Sequence, residues 1–86
     1  MFEEGKTIYS ITDEDGEKSS ITIEKWAADL LQEMLPNVHA WVQEKYILVC
    51  EKKPHLTRRE KGDVVRVLAS REAQKSPRYK AYVDEL

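Results

Sequence analysis

The sequence predicts an α+β fold: an N-terminal β-hairpin, an amphipathic helix, a second β-hairpin or a helix in its place, and two C-terminal helices around one small core. Three observations support this prediction. Apolar residues alternate with polar ones over residues 6–23, they recur at helical spacing over residues 23–34, and a capping motif begins a further helix at Thr57. A chain of 86 residues can build one modest core, so we expect a single domain spanning residues 1–86.

The N-terminal segment 6–23, KTIYSITDEDGEKSSITI, predicts two strands around an acidic turn. If Gly16 takes the left-handed position of a bulged turn, Asp13 pairs with Glu17. In that register four apolar residues share one face: Tyr9, Ile11, Ile21 and Ile23, with Tyr9 opposite Ile21. A two-residue turn would place the apolar residues of the two strands on opposite faces, which is costly where one face is buried. We therefore predict the bulged turn.

The next segment has the spacing of an amphipathic helix from Thr22 or Ile23 to Leu35. Its apolar residues recur at intervals of three and four: Ile23, Trp26, Ala27, Leu30, Leu31 and Met34. Pro36 disfavours helical backbone at Leu35, so we expect the helix to end there.

Residues 38–52, VHAWVQEKYILVCEK, are compatible with two structures. A helix capped by Asn37 would align five apolar side chains: Val38, Trp41, Val42, Tyr46 and Val49. The alternative is a hairpin of two strands, 38–42 and 46–50. We prefer the strands, because the segment is rich in β-branched and aromatic residues and the unbroken apolar run 46–50 suits a strand covered on both faces.

Two helices are predicted after residue 56. Thr57 followed by Glu60 forms a capping box, and the helix it begins is expected to bury Val64, Val65, Val67 and Leu68. Basic residues continue that stripe, so we expect the helix to leave the core near Ser70. Ser76 and Pro77 predict the cap and first position of a short last helix. The expected core is Tyr9, Ile11, Ile21, Ile23, Trp26, Leu30, Leu31, Met34, Trp41, Leu48, Val64 and Leu68.

Composition argues against several classes of function. The longest apolar run, 46–50, is far too short for a membrane span. The one cysteine, Cys50, fits a reducing cytoplasm. Metal ligands at CxxC or HxxxH spacing are missing from the sequence, as are nucleophile motifs and glycine-rich phosphate loops. We expect neither a metal nor another cofactor, and we expect the protein not to be an enzyme.

Charge is divided unevenly along the chain. The net charge is −2, but residues 1–44 carry ten acidic and three basic residues, whereas residues 45–86 carry six acidic and eleven basic ones. This asymmetry predicts an oriented, charge-complementary surface. The turn carboxylates are expected to be solvated, with ordinary pKa values, and able to engage a basic partner: Asp13, Glu14, Asp15 and Glu17. We therefore expect a non-enzymatic cytoplasmic protein-binding module, a small regulator or inhibitor of phage or plasmid type.

The basic segment 52–80 supports an alternative, a nucleic-acid-binding protein. Its candidate phosphate contacts are Lys52, Lys53, Arg58, Arg59 and Arg66. Acidic residues lie between these basic residues and weaken the nucleic-acid hypothesis. A homodimer is a further possibility, because aromatic side chains such as Trp41, Tyr79 and Tyr82 are typical of interfaces.

Overall fold

The computed structural model describes residues 4–85, and within that range it contains a two-stranded antiparallel sheet and four helices. The strands are β1 (Lys6–Thr12) and β2 (Lys18–Glu24). The helices are α1 (Lys25–Met34), α2 (Val38–Lys52), α3 (Arg58–Ala73) and α4 (Pro77–Asp84). The α+β class predicted from the sequence is confirmed.

The hairpin has the predicted register. Tyr9 lies opposite Ile21. The N–H of Asp13 donates to the carbonyl of Glu17 at 2.8 Å, and the N–H of Gly16 donates to the carbonyl of Asp13 at 3.0 Å. Gly16 has φ of +81°, a left-handed conformation that glycine adopts at little cost. The bulged turn is therefore confirmed, and the four apolar residues of the hairpin are buried together.

Helix α1 begins at Lys25, two or three residues later than predicted, because Ile23 and Glu24 belong to β2. Ile23 is 1% exposed, and its position fits both the alternation of the strand and the spacing of the helix. Leu35 is extended, as expected before Pro36. The buried face of the helix consists of Ala27, Ala28, Leu30 and Leu31.

Residues 38–52 form the single helix α2, so the preferred hairpin is wrong and the helical alternative is correct. The Asn37 side chain caps it by accepting from the N–H of Ala40 at 3.0 Å. The buried residues follow helical spacing: Val38, Val42, Tyr46 and Val49. Ile47 and Leu48, which completed the apolar run, are 50% and 37% exposed. The run therefore did not indicate a strand covered on both faces, and Leu48 is not part of the core.

Helix α3 has the predicted capping box, with the N–H of Thr57 donating to Glu60 Oε1 at 2.9 Å and the N–H of Glu60 donating to Thr57 Oγ1 at 3.2 Å. Its buried face differs from the prediction and consists of Lys61, Val65, Ala69 and Ala73. Val67 is 58% exposed, and the helix stays against the core past Ser70. Val65 is buried as predicted. The rest of the face consists of alanines and an ion-paired lysine, and neither residue type has a strong hydropathy signal.

The last helix begins as predicted. The Ser76 hydroxyl accepts from the N–H groups of Arg78 and Tyr79 at 3.1 and 3.4 Å, and Pro77 follows it. The Tyr79 ring stacks on Trp26 of α1, with ring centroids 6.0 Å apart. The aromatic residues suggested for a homodimer interface, Trp41, Tyr79 and Tyr82, are each half-buried within the chain. Self-association stays a prediction.

The core is one cluster between the inner face of the hairpin and helices α1, α2 and α3. Helix α2 contacts β1, and α3 contacts β2, so each strand packs against a different helix. Of the twelve residues predicted as core, six are buried: Tyr9, Ile11, Ile21, Ile23, Leu30 and Leu31. Five pack against that cluster while partly exposed: Trp26, Met34, Trp41, Val64 and Leu68.

Candidate functional site

The acidic turn is attached to α2 and α3 through Glu14. Its Oε2 accepts from Nζ of Lys61 at 2.5 Å, and its Oε1 accepts from the hydroxyl of Tyr46 at 2.5 Å. Lys61 is 5% exposed and Tyr46 is 1% exposed. The Cys50 thiol lies 3.8 Å from Glu14 Oε2. Residues far apart in sequence therefore form one polar cluster beneath the turn.

The pKa of each titratable group in this cluster is shifted further from pH 7. Hydrogen bonds from Lys61 and Tyr46 lower the pKa of Glu14 to about 2, and the bond to Glu14 raises the pKa of Lys61. Burial raises the pKa of Tyr46 and that of Cys50, and the nearby Glu14 adds to both shifts. A general acid or base works best with a pKa near the working pH. The cluster thus has the properties of a structural tether rather than a proton-transfer site.

The predicted acidic site is divided by this arrangement. The Asp13 carboxylate accepts from the N–H groups of Asp15 and Glu17, each at 2.9 Å, so it stabilises the turn itself. Glu14 binds Lys61 and Tyr46, and the expectation of an ordinary pKa is wrong for it because α2 and α3 pack beneath the turn. Asp15 and Glu17 are exposed.

The uneven charge of the two halves is partly balanced within the fold. Three ion pairs each join an acid of residues 1–44 to a base of residues 45–86, at 2.5, 3.7 and 2.5 Å: Glu14–Lys61, Glu24–Arg66 and Glu33–Arg78. Because these charges already pair within the fold, the uneven charge of the two halves supports an external partner less strongly than the sequence alone suggests.

The outer edge of β1 is covered at Ser10 and Thr12 by side chains of α2. Oε1 of Gln43 accepts from the N–H of Thr12 at 2.7 Å, and Nε2 of Gln43 donates to the carbonyl of Thr12 at 3.0 Å. Nε2 of His39 contacts the carbonyl oxygen of Ser10. Unpaired backbone groups at a strand edge favour pairing with other chains, and covering them prevents this.

The outer edge of β2 is open. Asp13 and Glu17 are a hydrogen-bonded pair, and bonding alternates along an antiparallel ladder. Ser20 and Thr22 consequently direct their backbone N–H and C=O groups away from β1. Within residues 4–85 no protein group bonds to these four groups.

A groove of about 270 Å³ lies between this open edge and α3. Ser20 and Thr22 line its strand side; Arg58, Arg59, Asp63 and Arg66 line its helix side. A second depression of about 430 Å³ shares Asp63 and Arg66 and continues along α3 past Val67. We call the first depression, together with the open edge, the β2/α3 groove.

The β2/α3 groove brings together three of the five basic residues predicted to contact phosphate: Arg58, Arg59 and Arg66. The other two do not line it. Lys52 is the last residue of α2 and Lys53 follows as its cap. Ser20 and Thr22 were not predicted as site residues, and the one sequence signal for them is their polar alternation with the buried isoleucines of β2.

Among the described residues, no group of three His, Cys, Asp or Glu side chains is placed to hold a metal ion. No helix in residues 4–85 is both long and apolar enough to cross a membrane. No protein-family model, curated protein or solved structure matches this chain.

Proposed function

We propose that this protein is a non-enzymatic protein-binding module that accepts an extended segment of a partner as a third strand on β2. In strand addition, main-chain hydrogen bonds supply affinity and flanking side chains supply specificity. Ser20 and Thr22 each offer one backbone donor and one acceptor to such a segment. The observation that carries the proposal is the contrast between the two edges: α2 side chains cover β1 at Ser10 and Thr12, whereas β2 borders a groove at Ser20 and Thr22.

Such docking suits a small regulator or inhibitor, because it requires a rigid surface and no reaction centre. A reducing cytoplasm fits the lone cysteine, a half-buried thiol. The acidic turn is a weaker docking candidate than the groove, since Asp13 and Glu14 are already bound within the fold. Asp15 and Glu17 remain exposed beside the start of β2.

The second candidate function is nucleic-acid binding, which the clustering of Arg58, Arg59 and Arg66 favours. Proteins usually hold single-stranded nucleic acids with two kinds of side chain. Basic side chains contact the phosphates, and exposed aromatic rings stack on the nucleobases. The aromatic residue that reaches the groove, Tyr46, is 1% exposed and has no face available for stacking. We therefore rank this function below peptide binding.

Peptide selection followed by a backbone-blocking substitution tests the proposal. Peptides of about nine residues are selected from a displayed random library, and the affinity of the best synthetic peptide is measured by calorimetry. Ser20→Pro removes an outward N–H without removing a ladder hydrogen bond. We expect it to weaken binding about tenfold or more, equivalent to about 1.4 kcal/mol. Ser10→Pro makes the same change on the covered edge and should leave affinity unchanged.

A peptide N-methylated at the positions facing β2 provides a second measurement that does not alter the protein. It should bind far more weakly than one methylated at the intervening positions. Failure of every library peptide to bind, or equal affinity for Ser20→Pro and Ser10→Pro, would overturn the proposal. Single-stranded DNA binding that falls steeply with salt and is insensitive to Ser20→Pro would instead favour the nucleic-acid function.

A further inference from the structure

We infer that the segment added to β2 carries anionic side chains, carboxylates or phosphate esters, which Arg58, Arg59 and Arg66 bind. This inference rests on the proposed function and specifies the chemistry of its partner. Guanidinium groups bind carboxylates and phosphates through paired hydrogen bonds, so arginine is suited to this recognition.

The arginines form one wall of the groove. They occupy one face of α3, and Gly62, between Arg59 and Arg66, adds no side chain to that wall. Arg59 and Arg66 are seven residues apart, which is roughly 10 Å along a helix. Side chains on one face of an extended strand recur about every 6.7 Å. Two or three alternate residues of an added strand can therefore reach the arginines.

Most of the positive charge in the groove is available to a ligand. Within residues 4–85, no carboxylate lies within ion-pairing distance of Arg58 or Arg59. Arg58 contacts the neutral hydroxyl of Ser19. The groove is thus charged to match an acidic segment and to repel a basic one.

Arg66 is paired, but only weakly. It lies 3.7 Å from Glu24 and 3.6 Å from Asp63, and its side chain is 38% exposed. Single contacts of this length between partly exposed groups contribute little stability. A bidentate contact with a ligand carboxylate or phosphate can replace them. Asp63 repels an anionic ligand, but the three arginines of the groove outnumber it.

A peptide series tests the inference. Peptides of about nine residues alternate threonine with glutamate, glutamine, lysine or phosphoserine. We expect the glutamate peptide to bind about tenfold more tightly than the glutamine peptide at low salt, and the lysine peptide not to bind. Tighter binding of phosphoserine than glutamate would assign the ligand as a phosphorylated segment, and equal or weaker binding as a carboxylate-rich one.

Two charge reversals complete the test. Arg59→Glu should abolish the preference for glutamate over glutamine, whereas Lys52→Glu, an equal change of charge outside the groove, should preserve it. Circular dichroism confirms that each variant is folded, and Arg66→Gln is a milder second variant that should reduce the preference. If glutamate and glutamine peptides bind equally, the inference is wrong and strand addition stands. If no peptide binds, both are wrong.

Discussion

Replacing Tyr46 with alanine is expected to lower the free energy of unfolding by about 4 kcal/mol, as for other large buried aromatic residues. Tyr46, a residue of α2, is the largest side chain below 2% exposure in the described part of the chain, and it belongs to the hydrophobic core. Small domains are stable by only about 5–15 kcal/mol, so this variant should lose a large part of the stability of the protein. Urea denaturation followed by circular dichroism measures the change.

Tyr46→Phe separates the hydroxyl from the ring. The ring still fills the core, and the variant loses the hydrogen bond to the Glu14 carboxylate. Bonds to charged groups contribute about 2 kcal/mol, so we expect roughly half the effect of alanine. An unchanged unfolding midpoint for Tyr46→Phe would show that the hydroxyl does not bind Glu14.

Glu14→Gln is expected to destabilise the protein more than Lys61→Met, although both remove the same ion pair. Lys61 is 5% exposed, and without a counter-charge its ammonium group is buried and uncompensated. In Lys61→Met, the apolar stem is retained and the Glu14 side chain, which is 36% exposed, can turn toward water. Urea midpoints of the two variants measure this order. Glu17→Gln, in the same turn but exposed, is the matched control and should have little effect.

The same ion pair predicts a pH dependence. The pKa of Glu14 falls from an ordinary 4.5 to about 2 on folding, so its stabilising contribution is complete above pH 4.5 and is lost as the pH falls through about 2. Glu60, whose pKa is lowered by its bond to the Thr57 N–H, contributes alike to both proteins. The unfolding midpoint of the native protein should therefore drop more steeply with acid than that of Glu14→Gln. Parallel curves would contradict the assigned pKa.

The hairpin could be predicted in detail because its determinants are local. The alternation of Tyr9, Ile11, Ile21 and Ile23 and the one glycine of the turn, Gly16, select a single register. The capping box of α3 and the Ser76 cap are likewise encoded within four residues. Such signals depend little on tertiary packing.

Helix α2 was mispredicted because β propensity describes how a residue packs more than what its backbone prefers. Val38, Val42 and Val49 pack as well on a helix as they would in a strand. The exposure of Ile47 and Leu48 depends on which face the hairpin and α3 cover. That choice is made by tertiary packing, and a short apolar run does not reveal it.

The candidate site was only partly predictable for the same reason. Arg58, Arg59 and Arg66 were identified as a basic group, and helical spacing already places them near one another. That Ser20 and Thr22 lie on an open edge depends on the sheet ending at β2, which local sequence does not encode. The Glu14–Lys61 pair joins residues 47 positions apart, so its pKa shift required the fold.

Amide hydrogen exchange, followed residue by residue by NMR, tests most directly whether β2 has an open edge. The N–H groups of Ser20 and Thr22 should exchange at nearly the rate of unprotected amides, whereas those of Ile21 and Ile23 should be strongly protected. Thr12, whose N–H donates to Gln43 on the covered edge, should also be protected. Adding a peptide that binds the protein should slow the exchange of the Ser20 and Thr22 N–H groups. Protection of these two amides equal to that of Ile21 in the free protein would contradict the open edge and the function proposed from it.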